Sequence, residues 1–151
     1  MQELILALAL AAPVDGAPNV ARRLGDAACS VSVAAVDAQG RFRSARQVSA
    51  ALVPALAFRG RVSPQVEGAS PLLFDVFNPQ GQRYQVLVPA RRGGAYTLQG
   101  SRSLPRTVEA RLAVAGSSIA WTSMYGLWRV EPRFEGQDSP CGLAQVFTIL
   151  P

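Results

Sequence analysis

Two residue types are missing from this 151-residue chain: all 15 basic residues are arginine, so there is no lysine, and there is no histidine. Without imidazole the Ser-His-Asp and Cys-His nucleophile systems are excluded, and so is the most common side-chain metal ligand. Without a side-chain amine there is no Schiff-base chemistry and no phosphate-binding lysine of a nucleotide loop. Cysteine is held to Cys29 and Cys141, with no metal-ligand company around either. The ten acids are spread thinly along the chain and form no suggestive cluster. These absences predict a protein that is not an enzyme and has no cofactor and no metal site. A hydrolase working through carboxylates is the remote alternative. Long apolar runs are missing too. The longest, from Leu4, is too short for a membrane-spanning helix.

What is present is globular: 49% of residues are apolar and 17% charged, a balance that folds rather than stays disordered. A chain of this length suits one domain with a real core. The net charge of +5 comes from scattered arginines rather than from a basic element interleaved with aromatics. That pattern argues against nucleic acid. It leaves a solvated surface, or an anionic partner such as a polysaccharide or lipid headgroup.

Residues 1–28 read as a non-β segment, signal-like or an N-terminal extension with its linker. Met1–Ala12 carries the apolar stretch of a secretory signal, with Ala9 and Ala11 in an A-x-A arrangement before Pro13. Glu3 stands where a basic residue would be expected, so a short packed helix is the alternative. Asp26-Ala-Ala-Cys29 has the outline of a lipoprotein site, but Asp26 replaces the bulky aliphatic residue such sites carry.

From Cys29 onward the period is two, which is the signature of half-buried strands. Cys29, Val31 and Val33 share one face. Residues 41–55 fit a strand or a helix, with strand favoured. Leu56, Phe58 and Val62 alternate with Ala57, Arg59 and Arg61. Leu72, Phe74 and Val76 lead through an Asn78–Gly81 turn to Tyr84, Val86 and Val88. Arg91–Gly94 reads as a further turn, with Tyr96 and Leu98 beyond it. Val108, Ala110, Leu112 and Val114 form a clean strand, and Val146–Leu150 closes the chain. The richest stretch is Ser118–Gly136. In its second half Trp128, Val130, Pro132 and Phe134 face one way, and Arg129, Glu131 and Arg133 the other. Seven to nine short strands separated by turns predict an all-β antiparallel sandwich or barrel over residues 29–151.

The run Met124-Tyr-Gly-Leu-Trp-Arg-Val-Glu-Pro-Arg-Phe-Glu-Gly136 resembles the penultimate strand of macroglobulin-type and related immunoglobulin-like domains. Phe74-Asp-Val-Phe-Asn-Pro-Gln-Gly-Gln82 is similar to an earlier hairpin of such domains. The likeness covers about residues 56–150 and implies an immunoglobulin-like antiparallel β-sandwich. It implies no thioester or protease-trapping chemistry.

Four further expectations follow. Cys29 and Cys141 form a disulfide, with two buried thiols in a reducing compartment as the alternative. Trp121 and Tyr125, beside a turn, form an aromatic contact platform or else pack into the core. Arg91 and Arg92, at a hairpin tip, make an anionic contact or simply keep a loop soluble. The chain as a whole reads as an extracytoplasmic structural or adhesive module, in periplasm, on the surface or secreted. It works by protein–protein contact or self-assembly, with carbohydrate or anionic-polymer binding as the alternative.

Overall fold

The computed structural model describes residues 27–64, 66, 70–89 and 107–151. Met1–Ala12, Arg91, Arg92, Tyr96 and Leu98 lie outside the described residues.

Two sheets pack face to face. The four-stranded sheet contains β1 (Cys29–Val36), β2 (Phe42–Ser44), β4 (Ala55–Val62) and β7 (Thr107–Ala113), in the order β2-β1-β4-β7. The five-stranded sheet contains β3 (Gln47–Ser49), β5 (Leu72–Phe77), β6 (Arg83–Leu87), β8 (Gly126–Phe134) and β9 (Gln145–Leu150), in the order β3-β9-β8-β5-β6. A single helical turn, α1 (Ser118–Trp121), leads from β7 towards β8. All pairings are antiparallel except β3 with β9, which run parallel with Val48 beside Ile149. The fold is an all-β sandwich, not a closed barrel.

The alternation read from sequence is the alternation that fills the core. Leu56 and Phe58 from β4 meet Phe74 and Val76 from β5, Trp128 and Val130 from β8, and Phe147 and Ile149 from β9. The rings of Phe58 and Phe147 lie 5.5 Å apart, and Tyr84 stands edge-on to Trp128 at 5.2 Å. Buried Trp128 keeps its indole N–H satisfied by donating to the Met124 carbonyl at 3.0 Å. Gly60 faces inward on β4, where a Cβ would come within 2.5 Å of Leu72 Cδ2 and 2.8 Å of Phe74 Cζ. Glycine there lets the sheets approach.

Pro132 sits in β8, a central strand, where proline should cost a ladder bond. Its carbonyl accepts from Cys141 N–H at 2.9 Å, so its nitrogen faces the same side, towards β9. The β8–β9 pairing stops at Val130 opposite Gln145. The missing N–H therefore falls beyond the ladder and costs nothing.

Three expectations are refined. Residues 41–55 contain no helix. They form β2, cross to the other sheet as β3, and turn back through residues 50–54. On β6, Tyr84 and Leu87 point towards the core, whereas Val88 is exposed. A bulge is the cause: Val76 pairs with Gln85 but Phe77 with Arg83, so Tyr84 is an extra residue and the faces swap beyond it. Arg133 is not a free surface arginine, since only 17% of its side chain is exposed.

Candidate interaction surfaces

The outer face of the five-stranded sheet is laid down by the strand period. Because Trp128, Val130 and Phe134 point inward, Leu127, Arg129, Glu131 and Arg133 point outward. The register sets Asp75 of β5 directly opposite Glu131, and Phe77 opposite Arg129. Each acid has its own cation. Arg133 donates two hydrogen bonds to Asp75, from Nε to Oδ2 at 2.7 Å and from Nη2 to Oδ1 at 3.1 Å. Those bonds hold the Arg133 guanidinium above its ordinary pKa, against a burial that pulls it down. Arg129 Nε lies 3.1 Å from Glu131 Oε1, and its guanidinium covers the Phe77 ring at 4.3 Å. The middle of this face is thus a closed lattice of ion pairs.

Beside it the chemistry changes. Leu127 pairs with Thr148, which places it diagonally against Val146 and Leu150 on the same outer face. Leu127 is 59% exposed and Val146 46%, with Leu150 also exposed. The three side chains form one apolar strip, bordered by Gln47 and Ser49 of the edge strand β3. Elsewhere, α1 presents Trp121, which is 81% exposed. Ile119 of the same turn is fully buried, because residues two apart on a helix face different ways. The two aromatics expected as a platform are therefore separated. Trp121 stands in solvent, whereas Tyr125 is half-buried against the core.

The outer face of the four-stranded sheet is cationic. Arg59, Arg61 and Arg111 project outward from β4 and β7, and Arg41 lies in the turn before β2, whereas Arg43 of β2 pairs with the core-facing Ala35 and so belongs to the other face. The acids among these elements are Asp37 and Glu109, and Arg41 and Arg59 engage them at 2.8 and 3.8 Å. On this outer face three arginines thus meet one acid, Glu109, with the Arg41–Asp37 pair in the turn beside β2. On β5, β6 and β8, three arginines face two acids, with Glu135 and Asp138 just beyond β8. The outer face of the four-stranded sheet is thus the more positive of the two. Phe42, on the edge strand β2, lies under the Arg59 guanidinium at 3.9 Å, with Arg111 at 5.5 Å. Ala57, opposite Arg111, is completely buried although it faces outward.

Cys29 and Cys141 are bonded to each other, with their Cα atoms 5.4 Å apart. The bond joins the first strand of the four-stranded sheet to the segment that feeds β9 in the other. Among the described residues no group of three or more His, Cys, Asp or Glu could hold a metal ion, and no helix is long and apolar enough to cross a membrane.

Sequence reasoning missed Leu127 and Phe42 as surface features. Leu127 was legible as the one apolar residue in the outward series Leu127, Arg129, Glu131, Arg133. Phe42 was not, because a three-residue strand is too short to show a period. No protein-family model matches the chain, and no curated protein matches it either.

Proposed function

We propose that this protein is an exported structural or adhesive β-sandwich module, a subunit or accessory of a surface assembly that acts by protein–protein contact. The observation that carries this reading is the strip of Leu127, Val146 and Leu150. Exposed apolar side chains scattered singly are ordinary, but contiguous ones rimmed by polar residues mark contact surfaces. The Cys29–Cys141 bond supports an extracytoplasmic site, since disulfides persist in oxidising compartments.

A second reading is favoured by the charge asymmetry. The arginines around Phe42 suit a carboxylated, sulfated or phosphorylated polymer better than a neutral sugar, because guanidinium pairs with such anions in a two-pronged fork. The hydrolase alternative ranks last: Asp75 and Glu131 do face each other, but each is already held by an arginine.

Two double variants separate the readings. Leu127→Glu/Val146→Glu removes the strip, and Arg61→Glu/Arg111→Glu inverts the cationic face. Each is compared with the wild type for proteins crosslinked to it at the native cell surface and for retention on a polyanion column across a salt gradient. The first reading expects one specific crosslink to be lost only in the strip variant. Loss of polyanion retention only in the arginine variant, with crosslinks unchanged, would favour the second.

A further inference from the structure

Chain order and the position of the disulfide together say something about force. Cys29 opens β1, the first strand, and Cys141 lies just ahead of β9, the last, with 112 residues of sequence separation between them. β9 runs from the disulfide end of the sandwich to the opposite end, where Leu150 accepts from Ala50 N–H at 2.7 Å and Pro151 from the Ser49 hydroxyl at 2.9 Å. The shortest covalent route from residue 28 to residue 151 therefore passes through Cys29, the sulfur–sulfur bond, Cys141 and β9. Residues 30–140 hang from this route as a side loop.

We infer that the module is a tension-bearing link, in which force entering before Cys29 and leaving after β9 is carried by covalent bonds alone and bypasses the sandwich. This rests on the structural reading above. A β-sandwich without such a bond bears load through ladder hydrogen bonds, which are individually weak. Here the loaded segment is already a strand, extended at about 3.3 Å per residue, so little of it can lengthen. Its slack is confined to the turn after Cys141. Both flanks of β9 are paired, to β3 and to β8, and neither neighbour lies in the load path.

The join between bond and strand is closely built. Cys29 N–H donates to the Cys141 carbonyl at 3.2 Å, and Cys141 N–H donates to Pro132 at 2.9 Å. The next residue, Gly142, passes so near β1 that a Cβ on it would lie 2.1 Å from the Cys29 carbonyl oxygen. A disulfide placed between any two strands would restrict the unfolded chain. Only one that brackets the described strands, at β1 and just ahead of β9, shields the segment between them from load.

Single-molecule stretching of the full chain, held by handles at its two ends, tests this. The quantity read is the difference between the two redox states of the same molecule. The oxidised protein should show no lengthening beyond about 15 Å attributable to the domain, the slack of residues 142–151. Adding a reductant to the same tethered molecules should release the bracketed residues 30–140, a gain of roughly 400 Å. The gain should come in one step, or gradually if the unlinked fold yields at very low force. Cys29→Ser/Cys141→Ser should behave as the reduced protein does without any reductant. A roughly 400 Å step in wild type never exposed to reductant would show that the two cysteines do not close this route and overturns the inference, and so does a reduced molecule that stays as short as the unreduced one. Neither outcome touches the protein-contact reading, which stands or falls with the strip variants.

Discussion

Arg133 grips Asp75 across the β5–β8 pair with two hydrogen bonds, and its third nitrogen donates to the Gln137 carbonyl at 3.1 Å. The two residues are diagonal rather than opposite, since the register sets Arg133 beside Leu73 and Asp75 beside Glu131. Asp75 is almost completely buried, on the face of the sheet that carries no core. The stem of Arg133 and its neighbours build a second, thin polar layer there.

Removing one member of that pair leaves a buried charge without its partner. Arg133→Ala should cost about 2–4 kcal/mol, at the lower side of the range for broken buried pairs because Arg83 stands 4.0 Å from Asp75. Arg129→Ala, whose side chain is 43% exposed, should cost about 0–1 kcal/mol. Urea unfolding of both variants checks this, and equal losses would mean that burial of the Asp75 pair adds nothing.

That contrast marks the limit of what alternation can tell. The period of two placed Trp128, Val130 and Phe134 inward and Arg129 and Arg133 outward, as found. It could not tell an arginine in solvent from one covering a buried aspartate, because that depends on which strand lies alongside. The same holds for Leu72–Val76, read as one-sided but buried on both faces through β8 and its long side chains. Three-residue strands such as β2 and β3 fall below the length at which any period is visible. Their placement comes from pairing with β1 and β9, distant in sequence. The β6 bulge escaped for a similar reason: an inserted residue reverses the faces without altering composition.

Core truncation should rank by burial. Trp128→Ala should cost about 3–5 kcal/mol, since it opens the space shared with Tyr84 and Phe147 and strands the Met124 carbonyl. Phe134→Ala, at the rim of the core, should cost less. Thermal melts that placed Phe134→Ala above Trp128→Ala would contradict the view that the aromatic layer holds the two sheets together.

Asp37 offers a pH prediction. Its carboxylate accepts the Arg41 and Gln39 backbone N–H groups at 2.8 and 2.9 Å. The Arg41 backbone bond, helped by the Arg41 guanidinium, holds it below the ordinary 3.8. A depressed carboxylate stabilises the turn above its unfolded pKa and loses that contribution as pH falls through the folded value. NMR titration should therefore find Asp37 ionised below pH 3.8, with the Gln39 and Arg41 amide shifts following the same midpoint. A midpoint at or above the ordinary value would mean the turn bonds are not populated in solution.

The segment before Cys29 should be separable. Pro13, Gly16, Pro18 and Gly25 make it a poor strand or helix, and the core assembled by the described residues runs from Ala28 to Ile149. A chain beginning at Ala27 should unfold as cooperatively as the full chain, within about 0.5 kcal/mol in urea. Loss of a cooperative transition would show that residues 1–26 contribute to the core.

Gly142 should be the least replaceable glycine of the described residues. At Gly60 an added methyl would meet the ends of the Leu72 and Phe74 side chains, which can rotate aside, so Gly60→Ala should cost about 1–3 kcal/mol. At Gly142 the obstacle is backbone: the Cys29 carbonyl oxygen at 2.1 Å and its carbon at 2.9 Å. That strand cannot move aside, because Cys29 is paired with Val62 of β4. Relief would have to come from the 141–144 segment, which would break the Cys29–Cys141 backbone hydrogen bond and pull on the disulfide. Gly142→Ala should thus cost more than Gly60→Ala and leave part of the protein with two free thiols, countable by alkylation and mass spectrometry after oxidative refolding. Full oxidation with wild-type stability would mean that the turn after Cys141 can reroute, and that β9 is not tied to β1 as closely as these distances require.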